Sequence, residues 1–102
     1  MTRPRAPSGP ALAAVPQVVP KARLEWDDVR QRQVLLYPEG LLAPNSTGAE
    51  ILSLCDGTRP LGQIVATLRQ RYESATIEQE VIAFLEALAA KGLVTWRPIP
   101  ST

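Results

Sequence analysis

Few side chains in this 102-residue chain could do chemistry, and their types and spacing argue against catalysis. There is no histidine and a single cysteine, Cys55. General acid–base work near neutral pH most often uses histidine, and a structural zinc site needs about four Cys or His ligands. A Ser-His-Asp or Cys-His pair is therefore impossible, and no disulfide can close within the chain. Cys55 ends an apolar helix stripe, with no Lys, Arg or His at i±3 or i±4 on its own helix; that describes a small buried hydrophobe rather than a stabilised thiolate. Carboxylates are the remaining option, but Glu78, Glu80 and Glu86 fall on a predicted helix, where they read as its solvated face. The expectation is a binding module, not an enzyme, with no catalytic residue, no metal ligand and no cofactor.

The elements that must position a binding surface come from composition and periodicity. At 102 residues and 45% hydrophobic content, the chain suits one domain with one modest core. Five of its ten prolines stand at 4, 7, 10, 16 and 20. Segment 1–20, rich in Pro and Ala and free of acids, is expected to be a disordered tail. The domain is expected over 21–97, with a short C-terminal tail at 98–102. Ala11 to Val15 and Val18 to Val19 are too short for a signal-peptide core or a membrane span, so the expected location is cytoplasmic. Residues 1–23 carry Arg3, Arg5, Lys21 and Arg23 against no acid, whereas residues 24–102 hold seven bases and ten acids. The folded part is thus mildly acidic, which argues against a phosphate-binding face.

Leu24-Glu25-Trp26-Asp27 alternates with period two, as a half-buried strand does, and Asp27-Asp28 can turn it. Gln33 to Tyr37 reads as a second strand and Leu41 to Ala43 as a third. Between these two, Pro38-Glu39-Gly40 is turn chemistry, with Pro fixing φ and Gly admitting a positive φ. Pro44 ends the third strand and favours an edge position for it. A first helix is expected with Asn45 or Thr47 as N-cap, a capping box from Thr47 to Glu50, an inner face of Ile51, Leu52 and Cys55, and Gly57 at its end. A second starts near Pro60, its stripe formed by Leu61, Ile64, Val65, Leu68 and Tyr72. A third has a capping box in Thr76-Ile77-Glu78-Gln79, a face of Ile77, Val81, Phe84, Leu85 and Leu88, and an end at Lys91-Gly92. Leu93 to Trp96 can return to the sheet as a short strand. The fold class is α+β, a winged-helix-like domain with a small three-stranded antiparallel sheet packed on three helices.

A winged helix suggests DNA, but fold analogy does not decide function. The candidate recognition helix presents Glu78, Glu80 and Glu86 against Lys91 alone, and would mostly repel phosphates. A DNA-binding regulator therefore stands as an alternative resting on the basic tail, and a structural subunit without peptide contact is another. The apolar edge strand Leu41-Leu42-Ala43 points elsewhere: an open edge accepts an added strand through backbone hydrogen bonds. Ile82 and Ala89, off the main core stripe of the third helix with Glu86 between them, could line a groove beside it or simply widen the core face. Arg69 and Arg71 read as solvated charges. The hairpin Leu36 to Pro44, hinged at Pro38 and Gly40, is a candidate for exchange between two chains, giving a homodimer.

Several segments carry a family resemblance. Val34-Leu35-Leu36-Tyr37-Pro38-Glu39-Gly40, the helix-opening Asn45, Glu50-Ile51-Leu52-Ser53-Leu54-Cys55-Asp56-Gly57, the Ile64-Val65 to Tyr72 helix, and Phe84-Leu85 to Lys91-Gly92-Leu93-Val94 resemble the PqqD family, peptide chaperones of pyrroloquinoline quinone biosynthesis. The likeness spans roughly residues 21–96. It implies a RiPP recognition element, which captures a ribosomal precursor peptide, here PqqA, as an additional strand beside the third strand and against the third helix. The peptide would be presented to the radical SAM enzyme PqqE, and the domain itself would hold no cofactor. Carried onto this chain, the peptide-contacting positions are Gly40, Leu41, Leu42 and Ala43 on the strand and Val81, Ile82, Leu85 and Glu86 on the helix. This sequence departs from the family in having Pro44 immediately before the helix-opening Asn, which shortens the acceptor edge by one donor.

Overall fold

The computed structural model describes residues 12–97. Their order is β1 (Val15–Val18), β2 (Arg23–Asp27), β3 (Arg32–Tyr37), β4 (Gly40–Leu42), α1 (Ser46–Ser53), α2 (Leu61–Arg71), α3 (Ile77–Ala90) and β5 (Val94–Arg97). β2, β3 and β4 form the expected three-stranded antiparallel sheet in that order, while β1 and β5 pair antiparallel as a second, two-stranded sheet.

That second sheet corrects two expectations. The C-terminal strand does not return to the three-stranded sheet, and part of segment 1–20 is ordered structure, not a disordered tail. Val15 pairs with Arg97 and Val18 with Val94. Val18 N–H also donates to the Cys55 carbonyl at 3.1 Å, and Val19 N–H to the Leu93 carbonyl at 3.0 Å. Pro16, lacking an N–H, lies within the strand and is fully buried. The composition of the segment reports its prolines, whereas its order comes from a partner strand about eighty residues away along the chain. Residues 1–11 and the expected tail at 98–102 lie outside the described residues.

The β2–β3 connection is built by Asp27. Its carboxylate accepts from the amides of Val29 (2.9 Å) and Arg30 (3.2 Å) and from the Arg30 guanidinium (2.7 Å), an Asx-type turn. These bonds, that from the Arg30 side chain first, hold the Asp27 carboxyl below its usual range. The β3–β4 hairpin closes on the pair Tyr37 and Gly40, leaving Pro38 and Glu39 as its two loop residues. Gly40 thus starts the strand and does not take the expected positive φ; among the described residues the left-handed glycines are Gly57 (φ 86) and Gly92 (φ 77).

Helix α1 opens on Asn45, whose side chain accepts from Gly48 N–H at 2.8 Å, which decides the cap in favour of Asn45. Pro60 precedes α2, and no side chain caps it. Instead the carbonyls of Ala14 and Leu12 accept from the first helical amides, Leu61 and Gly62, both at 2.8 Å. Orphan donors at a helix start need partners, and here the N-terminal segment supplies them. The capping box expected at α3 does not form: Thr76 Oγ1 donates to the Glu80 carboxylate at 2.6 Å instead of capping the backbone. Leu35, Ile51, Leu61, Ile64, Leu68, Ile77, Val81, Leu85 and Leu93 meet in one core between the three-stranded sheet and the helices.

Candidate peptide-binding edge

Strand β4 is the rim of its sheet. It pairs with β3 on one side, with Leu42 opposite Leu35 and Leu41 opposite Leu36. The strand covers Gly40–Leu42 rather than Leu41–Ala43, because Pro44 biases Ala43 away from regular continuation and its own carbonyl is taken by an Arg32 guanidinium N–H at 2.8 Å. Gly40 and Leu41 are exposed, and Leu42 and Ala43 are half-buried.

The four helix positions divide. Val81 and Leu85 are fully buried and belong to the core, so they support the α3 surface from beneath. Ile82 and Glu86, one turn apart, are half-buried on one flank. Glu78, on the same flank, pairs with Arg69 of α2 at 3.1 Å, which places that flank toward α2. The opposite flank carries Glu80 and Phe84. A Cβ built on Gly48 would sit 2.9 Å from the Phe84 ring and 3.0 Å from Pro44 Cβ, so Phe84 lies against the segment that leaves β4. A cavity of about 360 Å³ opens there, bounded by Asn45, Gly48, Ile51, Glu80, Ala83 and Phe84. Sequence reasoning put Phe84 among core residues and missed this flank. The available signal was that Phe84 sits at the edge of the apolar stripe while Gly48 removes the side chain that would cover it.

Arg71, expected to be solvated, pairs with Glu50 of α1, and the same carboxylate accepts from Tyr72 Oη at 2.7 Å. Donation to Glu50, together with burial, raises the Tyr72 phenol above its ordinary range. This cluster ties the end of α2 to α1. Cys55 is buried, its thiol donating to the Ile51 carbonyl at 3.2 Å, and burial pushes its pKa up to about 12. That is the opposite of what a reactive thiolate needs. Among the described residues no group of three or more Cys, Asp or Glu converges as a metal site would require, and no helix is long and apolar enough to cross a membrane.

A small α+β winged-helix-like domain with an open strand edge and an inert thiol is built for recognition. The sequence profile of the family Coenzyme PQQ synthesis protein D (PqqD) matches residues 32–94. The chain belongs to the PqqD family, whose members are not catalysts. Among its relatives, the PqqA binding protein of Rhodopseudomonas palustris strain TIE-1 is 47% identical over 81 residues, covering 76% of this chain and 79% of that protein. The PqqA binding protein of Methylococcus capsulatus is 40% identical over 78 residues, covering 76% and 84%. The chain is also similar to the solution NMR structure of the PqqD truncation of Methylobacterium extorquens PqqCD, described as a functional, stand-alone RiPP recognition element. The TM-score is 0.68 at 34% identity, over 79% of this chain and 88% of that one.

Proposed function

We propose that this chain is a peptide chaperone of pyrroloquinoline quinone biosynthesis that binds the precursor peptide PqqA by strand addition and presents it to the radical SAM enzyme PqqE. The observation that carries the reading is the outer edge of β4, unpaired among the described residues, in a PqqD-family chain. A two-residue hairpin closes on a hydrogen-bonded pair, here Tyr37 and Gly40, and the alternation of an antiparallel ladder then turns the Leu41 amide toward the open rim. The peptide would take that amide and carbonyl, with Gly40 to Ala43 as its strand and the Phe84 flank of α3 beside it, over the buried Val81 and Leu85; Ile82 and Glu86 sit on the flank toward α2, so they would be reached only by a peptide that continues across the helix. The Phe84 cavity offers a place for one apolar side chain of the added strand. Binding would raise the local concentration of the peptide core at the enzyme, at the cost of ordering a flexible chain.

Fluorescence anisotropy of labelled PqqA against the chain and its Leu41→Pro variant tests this. Proline removes the outward donor while leaving the β3–β4 hydrogen bonds in place, and the expected loss is about tenfold in affinity. Equal affinities for the two proteins would show that the peptide binds elsewhere.

A further inference from the structure

A cleft of about 520 Å³ lies between the β2–β3 hairpin and the start of α1, at the end of the sheet opposite the Pro38-Glu39 turn. Its walls include Trp26, Arg30, Arg32, Gln33, Pro44 and Ala49. Trp26 pairs with Gln33 at the end of the sheet next to the β2–β3 turn, and it remains 52% exposed. Its indole N–H donates to Asp28 at 3.0 Å, which fixes the ring. The lining holds two guanidinium groups and no carboxylate. Arg30 is answered by Asp27 at 2.7 Å. Asp27 also stands opposite Arg32 in the strand register, but its carboxylate is taken up by Arg30 and by two turn amides. Among the described residues Arg32 is thus without a carboxylate partner, and its guanidinium is held at the cleft by the bond to the Pro44 carbonyl at 2.8 Å. Arg and Trp lining one cleft are the residue types that most often dominate binding energy at protein interfaces, and the fork geometry of a guanidinium matches a carboxylate.

We propose that this cleft docks a carboxylate-bearing, apolar-flanked segment of the peptide-modifying enzyme, with Trp26 as the apolar anchor and Arg32 as the carboxylate clamp. The identity of the partner rests on the chaperone reading above; the surface and its chemistry do not. The cleft is framed by β2, β3 and segment 44–49 whereas the peptide edge is β4, so the two surfaces are distinct neighbours that meet at Asn45, which also borders the Phe84 cavity. This geometry suits a domain that must hold a peptide and an enzyme together.

The test is calorimetric titration of PqqE into the full chain and into Trp26→Ala, Arg32→Gln and Ala49→Glu, with PqqA titrated into each in parallel. Ala49→Glu adds a carboxylate to the cleft at a position near a helix start, where an acid is well tolerated, so it keeps a folded variant in hand. Each variant is expected to weaken enzyme binding by about tenfold or more, while peptide affinity stays within about twofold in Trp26→Ala and Ala49→Glu. Enzyme affinity unchanged in Trp26→Ala and Ala49→Glu, or no binding of PqqE to the unaltered chain, would overturn the proposal. Absence of peptide binding with enzyme binding intact and sensitive to the variants would instead defeat the chaperone reading and leave the cleft standing.

Discussion

Cys55 shows how one residue's surroundings decide its chemistry. The thiol is buried, bonded to a helix carbonyl and set beside Asp56, and both burial and that negative charge raise its pKa to about 12 from 9.0. Because the folded state holds the proton more tightly than the unfolded chain, its contribution to stability is intact below pH 9 and is lost as pH rises from 9 to 12. The loss should be on the order of 4 kcal/mol. Chemical denaturation across that window should show a steeper alkaline decline for the native chain than for Cys55→Ala; parallel curves would refute the assignment. At Gly48 the argument is steric. An added methyl would sit about 3 Å from both the Phe84 ring and Pro44, so Gly48→Ala should destabilise the domain despite the better helix propensity of alanine. A loss of about 1–3 kcal/mol is expected, read from urea midpoints.

Among the elements, β1 has the consequence that composition could not forecast. It covers Leu93 and Val94, buries Pro16, and places the Leu12 and Ala14 carbonyls over the start of α2. A chain beginning at Pro20 should therefore lose on the order of 3 kcal/mol or more in stability, from uncovered core and two orphaned helix amides. An unchanged thermal midpoint for that shortened chain would contradict the role given to β1. The other elements were legible because their signals are local: the Leu61, Ile64, Val65, Leu68 stripe, the Asn45 cap and the Pro38-Glu39 turn each act within a few residues. The β1–β5 pairing and the orientation of the α3 flanks are non-local. Helical periodicity placed Ile82 and Phe84 on opposite sides of a buried stripe, but only Arg69 bonding Glu78 and the Phe84 ring over Gly48 show which side faces α2 and which faces the end of β4.

For the whole molecule, the arrangement separates structure from recognition. One core joins the helices to the three-stranded sheet, the β1–β5 ladder closes over that core, and among the described residues β4 is left with one unpaired edge. The family membership and the open edge together support a domain whose work is to hold a peptide. Titrating the isotope-labelled chain with PqqA while following backbone amide shifts tests that claim most directly. The account predicts shifts concentrated on Gly40 to Ala43 and along the exposed faces of α3, with Asp56 and the β1–β5 ladder unmoved. Shifts absent at saturating peptide, or confined to residues remote from β4, would contradict it.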